Sequence, residues 1–503
     1  MASARAATAQ VIVLLVTAAW GGCGDDGGRT EFFRTGANDP ADNNPDAGGS
    51  RRSRVVSERG SESQLPVADE VVELAFGAET VRHRIEILAT PAAVDVHINV
   101  DTTASIGAEI DALQQGLTTT VTSGLRERVA DASFGISRFE DFPRAPYGFD
   151  GIREGQDARA DTPFELVTPI TSELERVESA VATLDRPLGE GGDSPESWAE
   201  AIYQIASGEG YRSGGEQLIE PWKGVAAVGG GSGGGVGFRE DTLRVLLQIT
   251  DAPAHDPDDY LPHFAGTRSL QDAAEAALLA QVRVVGIATG ACVPTPEEPC
   301  EQGRASEVHR LVREQLEALA HRTEATIEAP EQGACPGSLT GAGPEAQQGR
   351  CPLVFDAAQD GSGLSETLVE ALVTLIEDVR FERVAARVAD DPIGFVRTVE
   401  AIAIEQEPGL SPAETADLEP EDAVDGIEES FVGVRPGTRM VFELGLQNTQ
   451  IAPASEPQSF RLRIRIEGDA ILLEERLLRV VVPPGPGPAP PPPGVEDGLD
   501  AGA

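Results

Sequence analysis

The chain has 503 residues, of which 40% are apolar, and this length and composition predict a globular protein of about three domains. Asp and Glu number 84 against 39 Lys and Arg, which gives a formal net charge of −45. A field of this sign repels nucleic-acid phosphates and anionic lipid headgroups, so it argues against nucleic acid as a partner and favours bound cations.

Residues 1–23 have the pattern of an export signal. The apolar run at 11–16 is too short to span a bilayer. Residues 18–23 resemble a bacterial lipobox, in which a small residue precedes a cysteine that becomes lipidated, although Trp20 stands where leucine is usual. We therefore expect lipid anchoring through Cys23 to a bacterial membrane, with the outer membrane favoured, at the cell surface or facing the periplasm. An ordinary cleaved signal peptide is the alternative.

Two segments without a hydrophobic core frame the rest of the chain. Residues 24–66 are rich in Gly, Asp, Asn, Arg and Ser and predict a disordered tether. Residues 483–503 begin with alternating proline and glycine, become acidic, and predict an extended tail. Folded domains are therefore expected between residues 67 and 482.

Within that region, residues 93–380 alternate between strand and helix patterns. Predicted strands lie at 94–100, 133–139, 243–250 and 282–288. Predicted helices, with apolar residues at spacings of three and four, lie at 106–125, 174–184, 269–280, 308–316 and 368–379. This alternation predicts an α/β fold with a doubly wound, mostly parallel sheet, in which ligands bind beyond the carboxyl ends of the strands.

Two local features of this region carry predictions of their own. Ser172 and Glu175 have the spacing of a capping box at the start of the second helix. The glycine-rich stretch at 229–235 is not followed by the Gly-Lys-Ser/Thr of a phosphate-binding loop. The insert at 207–240 that contains it is expected to be a flexible surface loop.

The flanking segments, 67–92 and 381–482, contain runs that alternate apolar and polar residues. The clearest run is 460–466, in which arginines alternate with Phe, Leu and Ile. Turn residues separate these runs, and the pattern predicts an all-β sandwich. Because such runs lie on both sides of the α/β region, one interpretation inserts that region into a single sandwich, and two separate β modules are the alternative.

Four cysteines remain after Cys23, and an even number in an exported chain predicts two disulfides. The simplest pairing joins Cys292 to Cys300 and Cys335 to Cys351. The chain contains no Cys-x-x-Cys, so a zinc site formed by these cysteines is rejected.

Acidic and hydroxyl residues cluster where predicted strands end. Asp101, Thr103 and Ser105 stand at the junction of the first predicted strand and the long helix, where their oxygen atoms can face the crevice above the sheet. Such a set suits Mg²⁺ or Mn²⁺ and leaves a coordination position open. Further carboxylates occur at 193–196, in a loop before a helix, and at Asp251, directly after a hydrophobic strand. In a doubly wound sheet all three places can converge on one edge.

These residues resemble the von Willebrand factor A family and, within it, the I-like domain of integrin β subunits. The first cluster resembles the family's metal-ion-dependent adhesion site, with Thr103 in place of the commoner Ser. The loop at 193–196 is similar to the integrin loop that supplies a glutamate to the same metal. Residues 139–147 are similar to the segment that carries an aspartate of an adjacent Ca²⁺ site.

The resemblance implies two metal sites and a conformational change of the last helix. The adhesion metal, Mg²⁺ or Mn²⁺, would be surrounded by Asp101, Thr103, Ser105, Glu196 and Asp251, the last directly or through water. The adjacent Ca²⁺ would be held by Asp141, Asp193, the Pro195 carbonyl and Glu196, with Gly191 in place of the family's asparagine ligand. Glu109 lies where the family holds a third ion. The last helix would transmit closure of the site to the sandwich.

Two histidines are expected to be structural. Alternate polar residues are unusual in a central strand, and we expect His97 to be a hydrogen-bonded core residue. His255 and the acidic residues at 256–259 are expected to form a solvated loop on the rim of the site, and an independent metal site is the alternative.

The sequence favours binding over catalysis. The six histidines are scattered, and neither Gly-x-Ser-x-Gly nor His-Glu-x-x-His occurs, so we expect no enzymatic activity. The predicted function is that of a surface-anchored, cation-dependent adhesion or ligand-binding lipoprotein, whose metal coordinates a carboxylate of a protein ligand. An extracytoplasmic assembly scaffold with a structural metal is the first alternative, and a metal-dependent hydrolase is the less favoured second.

Overall fold

The computed structural model describes residues 70–485, apart from residues 154–155, 158, 186, 292–303, 331–333, 340–342, 379, 412–413, 416–417, 419 and 423–427. The predictions for residues 1–69 and 486–503, and those for Cys23, Cys292 and Cys300, lie outside the described residues. Within the described part of the chain, no helix is both long enough and apolar enough to cross a membrane.

Strands occur along the whole described chain. They are β1 (Glu70–Glu73), β2 (Val81–Leu88), β3 (Ala93–Asp101), β4 (Asp131–Phe139), β5 (Ile152–Arg153), β6 (Gln156–Asp157), β7 (Glu165–Thr171), β8 (Tyr211–Ser213), β9 (Glu216–Ile219), β10 (Leu243–Thr250), β11 (Val282–Ala291), β12 (Thr326–Glu328), β13 (Arg350–Pro352), β14 (Val354–Ala358), β15 (Phe381–Asp390), β16 (Val396–Gln406), β17 (Glu421–Asp422), β18 (Glu428–Val434), β19 (Arg439–Leu446), β20 (Gln458–Gly468) and β21 (Ile471–Val482).

Among the described residues, the α-helices with defined bounds lie between β3 and β15. They are α1 (Gly107–Gly116), α2 (Thr122–Arg126), α3 (Leu174–Val181), α4 (Trp198–Ser207), α5 (Leu270–Leu279), α6 (Arg304–Arg322) and α7 (Leu364–Asp378). A 3₁₀ turn at Ala104–Ile106 precedes α1, and a π-helical segment at Leu117–Val121 joins α1 to α2. The single long helix predicted at 106–125 is therefore one helical stretch with a π segment in its middle.

A six-stranded sheet forms the centre of the α/β region. Its strand order is β14-β11-β10-β3-β4-β7. All neighbouring pairs are parallel except β4 and β7. The helices form two packed groups, α1 to α3 with α7, and α4 to α6, as expected for the two faces of a doubly wound sheet. The predicted doubly wound, mostly parallel sheet is confirmed.

Polar side chains form a buried row across the middle of this sheet. His97 Nε2 lies 2.8 Å from Ser137 Oγ, which donates to Asn99 Oδ1 at 2.7 Å. Asn99 Nδ2 in turn donates to Gln248 Oε1 at 2.7 Å. Burial lowers the pKa of His97 to about 3, so its ring is neutral. His97 is the hydrogen-bonded core residue that was predicted.

The predicted capping box at the second helix is wrong. The N-cap of α3 is Glu173, and its side chain forms no capping hydrogen bond. The Ser172 hydroxyl instead donates to the Val228 carbonyl at 3.4 Å. A capping box is present at the start of α5, where Ser269 and Asp272 each accept from the other's backbone N–H.

The glycine-rich insert packs against the sheet, contrary to the expectation of a flexible surface loop. The Ile170 N–H donates to the Val236 carbonyl at 2.9 Å, and the Phe238 side chain is fully buried. A Cβ on Gly230 would lie 2.1 Å from the Ile170 carbonyl oxygen. Glycine at this position therefore allows the insert to approach the backbone of β7 closely.

Strands from both ends of the described chain form two further sheets, with orders β1-β21-β20-β15-β18-β17 and β16-β19-β2. β1 pairs in parallel with β21, and β2 pairs antiparallel with β19. Ring contacts join the two sheets: the centroids of Phe431 and Phe442 lie 5.2 Å apart, and those of Phe395 and Phe460 lie 5.4 Å apart. Strands that precede the α/β region in the sequence, within residues 70–88, thus pair with strands that follow it, within residues 439–482.

A disulfide joins Cys335 to Cys351, the pairing expected for these two cysteines. Cys351 lies in β13 and is fully buried. The bond closes the segment between β12 and β14, next to the edge of the central sheet.

Candidate metal centre

The predicted metal ligands meet at the carboxyl ends of two neighbouring parallel strands. β3 and β10 pair in parallel with Val100 opposite Ile249. Asp101, the last residue of β3, therefore lies level with Thr250, and Asp251 is the first residue after β10. The pairing of two buried strands sets the positions of both carboxylates.

Two hydroxyl groups, those of Thr103 and Ser105, lie between these carboxylates. Thr103 donates to Asp101 Oδ1 from its N–H at 3.0 Å and from its hydroxyl at 2.7 Å. Its Oγ1 lies 3.1 Å from Ser105 Oγ, which donates to Asp251 Oδ1 at 3.1 Å. The Thr250 hydroxyl holds the second oxygen, Asp101 Oδ2, at 2.9 Å. The structure thus brings together four of the five residues predicted to hold the adhesion metal.

The fifth residue, Glu196, reaches the same edge from the loop that precedes α4. Its N–H donates to the Pro253 carbonyl at 2.8 Å, and its carbonyl accepts from the His255 N–H at 3.1 Å. A Cβ built on Gly191 would lie 3.2 Å from Glu196 Oε1 and 3.8 Å from Thr103 Cγ2, so both side chains border Gly191. Glu196 Oε2 is buried and has no hydrogen-bond partner among the described residues.

Burial raises the pKa values of all three carboxylates, and repulsion adds to the rise for Asp101 and Glu196. Burial raises the pKa of Asp101 to about 7, and the charge of Asp251 adds to this rise. Burial also raises the pKa of Asp251. The pKa of Glu196 lies well above its ordinary value because of burial first and repulsion from Asp101 second. Negative charge at this edge is therefore poorly compensated in the ion-free protein.

A basic side chain neutralises a buried carboxylate next to this edge. The buried carboxylate of Glu140 accepts two hydrogen bonds from Arg159, at 2.6 and 3.0 Å. Among the described residues, no Arg, Lys or His side chain forms an ion pair with Asp101, Glu196 or Asp251. These three carboxylates therefore lack the internal cation that their buried neighbour has.

Two acidic residues that sequence reasoning missed hold the surrounding loops in place. Glu140 also accepts from the Thr102 hydroxyl at 2.7 Å, which fixes the backbone beside Asp101. Asp161 accepts from the N–H groups of Glu190 and Gly191, each at 3.0 Å. No local pattern distinguishes these two residues, because their partners are distant in the sequence.

A second cluster lies beside the first and contains Asp141, Asp193 and His255. One ligand atom from each residue lies within 4.8 Å of the other two. His255 Nε2 is 3.1 Å from Asp141 Oδ2 and 3.2 Å from Asp193 Oδ1. Burial alone lowers the pKa of His255, but hydrogen bonding and charge from Asp141, followed by the charge of Asp193, raise it to about 9. The ring is therefore protonated in the ion-free protein at neutral pH.

This cluster agrees in part with the predicted Ca²⁺ site. Asp141 and Asp193 come together as the resemblance implies, and Pro195 lies half-buried in the same loop. His255 was not expected there: the solvated rim loop predicted for it is wrong, since its side chain is only 3% exposed. Tyr260 contributes to this burial, with a ring centroid 4.6 Å from that of His255.

Glu109 lies on the first turn of α1, close to the same edge. Its side chain is buried, and burial raises its pKa to about 7, with the charge of Asp251 contributing to the rise. Its Oε2 has no hydrogen-bond partner within the part of the chain that the structure describes. The negative charge of the edge therefore extends to the helix that follows Asp101.

Comparisons with known proteins found similar solved structures only. A scan against models of protein families and a search of curated proteins both found no match. A von Willebrand factor type A structure from Catenulispora acidiphila is similar with a TM-score of 0.29 and 13% identity, over 82% of this chain and 71% of that one. The pilus adhesin SpaC from Lactobacillus rhamnosus GG, in its open conformation, is similar with a TM-score of 0.30 and 10% identity, over 81% of this chain and 46% of the adhesin.

A second structure of SpaC gives a TM-score of 0.31 and 10% identity, over 81% of this chain and 47% of the adhesin. The chain therefore spans about half the length of that adhesin. The structural neighbours are thus a von Willebrand factor A-type protein and a pilus adhesin. Similarities at this level assign neither a family nor a function to the chain.

Proposed function

We propose that this chain binds an acidic protein ligand through a divalent cation held at the carboxyl edge of its α/β sheet. The observation that carries the proposal is the convergence of three carboxylates, those of Asp101, Glu196 and Asp251, without a basic partner among the described residues. A bound cation would relieve their mutual repulsion and would satisfy the buried Glu196 Oε2.

The donor set fits Mg²⁺ or Mn²⁺. Thr103 and Ser105 add neutral hydroxyl oxygens to the carboxylates, and hard oxygen donors are the ligands that these ions prefer. When bound, the cation supplies a Lewis-acidic position for an anionic oxygen of the ligand. Ala104 and Ser105 are exposed, so a macromolecular ligand can approach this edge.

The hydroxyl groups of this edge favour binding over catalysis. The hydrogen-bond partners of Ser105 Oγ are Thr103 and Asp251, so no imidazole activates this oxygen within the described chain. We therefore propose a non-enzymatic role for the site.

We further infer that the protein acts outside the cytoplasm, anchored by a lipid on Cys23. The support is the export pattern at residues 1–23 together with the Cys335–Cys351 disulfide, since disulfides persist in oxidising compartments. We interpret the two β-sheets as one sandwich, interrupted by the α/β region, that supports this region at the cell surface.

Selection of displayed random peptides on the immobilised protein tests the proposed function. With Mg²⁺ present, we expect selected peptides to carry Asp or Glu and to be released by a chelator. Asp101→Asn should abolish this binding, because it removes a ligand charge with little change in shape. Asp111→Asn is the matched control, since Asp111 is an exposed acidic residue on α1 that is not among the predicted metal ligands.

Two outcomes would contradict the proposal. Peptides that bind equally well in chelator would show that recognition needs no cation, and would favour a scaffold with a structural ion. Peptides that bind with Mg²⁺ but carry no acidic residue would show that the ligand is not recognised through a carboxylate.

A further inference from the structure

We propose that a cavity at the amino end of the central sheet binds a small organic molecule through a phosphate or sulfate group. The cavity has a volume of about 500 Å³, and Arg283, Arg350 and Arg380 line it. Arg283 lies at the start of β11, so the cavity is at the end of the parallel sheet opposite to Asp101. This site is thus independent of the function proposed for the carboxyl edge.

Buried positive charge marks the wall that β11 and β13 form, in a chain whose formal net charge is −45. The Arg283 side chain is 12% exposed, and burial lowers its pKa. Its Nη1 donates to the Glu324 carbonyl at 2.6 Å, and a Glu324 carboxylate oxygen lies 3.8 Å away. Arg350, in β13, donates from Nε and Nη2 to Thr326, each at 2.7 Å. Within the described chain no carboxylate forms an ion pair with Arg350, so its charge lacks a direct counterion.

Unpaired polar atoms occur in the same wall. Arg380 Nη2 lies 2.7 Å from Glu328 Oε1, and Arg380 Nη1 donates to the Gly433 carbonyl at 3.4 Å. Arg380 Nε and His321 Nε2 are buried, and neither has a hydrogen-bond partner among the described residues. The wall therefore holds more hydrogen-bonding atoms than the described part of the protein pairs.

The three guanidinium groups favour a tetrahedral oxyanion. A guanidinium group binds oxygen pairs of carboxylates and phosphates through its fixed fork of N–H groups. A carboxylate offers two oxygens, whereas a phosphate ester offers three, and guanidinium groups from three separate segments border this cavity. The two carboxylates of the wall, Glu324 and Glu382, belong to exposed residues and can turn to solvent. The volume lies in the range of small-molecule sites, which leaves room for the organic part.

Calorimetric titration of phenyl phosphate, phenyl sulfate and benzoate into the full chain tests this proposal. Chelator is present throughout, so that no cation at the Asp101 edge can hold an anion. We expect saturable binding of phenyl phosphate or phenyl sulfate, the tighter of which identifies the group, and binding of benzoate that is weaker by about tenfold or more. Arg350→Gln and Arg380→Gln should each weaken binding of the tighter ester by a similar factor. Arg322→Gln is the matched control, since Arg322 is exposed and does not line the cavity.

The ring of His321 provides a readout that needs no substitution. Burial and then the charge of Arg350 lower the pKa of His321. An anion beside Arg350 should therefore raise this pKa in the wild type, as followed by the ring-proton resonance across pH. The resonance of His263, which is exposed and does not line the cavity, should stay unchanged on addition of the ester.

Arg380→Gln should retain the fold, because Glu328 keeps Arg435 as an ion-pair partner. Four results would each overturn the proposal: no saturable binding of either ester, benzoate binding as tight as that of the esters, unchanged affinity in both arginine variants, or an unchanged pKa of His321. The three arginines would then serve only to join the strands that surround the cavity.

Discussion

Asp101 is held by short-range contacts of a kind that spacing along the sequence can predict. Thr103 folds back over the strand end and donates twice to the Asp101 carboxylate, and Ser105 follows at the next turn. The position of Asp251 follows from strand pairing, which the hydrophobic pattern also predicts. The structure brings these residues together, and their roles as metal ligands stay predictions.

His255 shows where reasoning from the sequence fails at the residue scale. Acidic neighbours at 256–259 favour a solvated loop, and nothing local indicates burial. The ring is covered by Tyr260, which is close in sequence, and by Tyr147, which follows β4 and lies more than one hundred residues earlier. Burial of this kind depends on tertiary packing that no local pattern encodes.

The raised pKa of Asp101 predicts how the stability of the ion-free protein depends on pH. The folded-state pKa of about 7 exceeds the ordinary value of 3.8 for aspartate, so between these two pH values the folded state binds a proton that the unfolded state releases. The contribution of Asp101 to folding stability is thus fully present below its ordinary pKa of 3.8, and it is lost as the pH rises through the folded-state pKa of about 7. In chelator, we expect Asp101→Asn to exceed the wild type in stability by about 2 kcal/mol near pH 8.

Thermal and denaturant unfolding in chelator, repeated across this pH range, measure the effect. The difference between variant and wild type should shrink towards acidic pH, and Mg²⁺ should stabilise the wild type alone. A variant less stable than the wild type at alkaline pH without metal would show that the Asp101 carboxylate is not under repulsion.

At the scale of elements, periodicity identifies the central sheet well. The strands predicted at 94–100, 133–139 and 243–250 correspond to β3, β4 and β10 within two residues at each end. They are predictable because their apolar runs are long and buried. Polar residues in β3 do not disturb the prediction, because His97 and Asn99 form hydrogen bonds with side chains of β4 and β10.

Elements whose conformation depends on close packing are harder to predict. The insert at 207–240 is rich in glycine because other backbone segments approach it, a cause that composition cannot distinguish from flexibility. The start of α3 likewise depends on tertiary packing. The Val228 carbonyl accepts a hydrogen bond from the Ser172 hydroxyl, the group that was predicted to cap the helix.

The contact between α1 and α7 predicts the effect of one added methyl group. A Cβ on Gly116 would lie 1.8 Å from Ser365 Oγ and 2.7 Å from Ser365 Cβ. We expect Gly116→Ala to lower the free energy of unfolding by about 1–3 kcal/mol, because overpacking forces the two helices apart. Denaturant unfolding measures this loss.

Two further variants control this prediction. Gly107→Ala lies in the same helix, where the new Cβ would lie 3.4 Å from Leu188 Cδ1, and it should be tolerated. Ser365→Gly added to Gly116→Ala should recover part of the loss. Full stability of Gly116→Ala alone would mean that α1 and α7 are not packed as the structure has them.

At the scale of the whole molecule, long-range strand pairing is the feature that the sequence leaves open. Alternation predicts that residues 81–87 and 460–466 form strands, but it does not specify partners. The structure pairs β2 with β19 and β1 with β21, across more than three hundred residues. Pairings of such separation depend on the placement of the α/β region between them.

A chain of contacts connects the candidate site to these sheets. Asp101 and Ser105 lie directly before α1, α1 packs on Ser365 of α7, and α7 runs into β15. We expect Mg²⁺ to shift α7 and thereby change the arrangement of the α/β region and the sheets. Small-angle scattering with and without Mg²⁺ measures this change, which should be absent in Asp101→Asn. Superimposable wild-type profiles would show that the ion acts locally.

Calorimetric titration of Mg²⁺ into the purified chain tests the central claim most directly. We expect saturable binding in the wild type, loss of that binding in Asp101→Asn and Glu196→Gln, and unchanged binding in Asp111→Asn. These results would establish that the carboxylates at the sheet edge hold the cation. Unchanged titrations in Asp101→Asn and Glu196→Gln would place the bound ion elsewhere and would contradict the account, as would a folded wild type that binds no Mg²⁺.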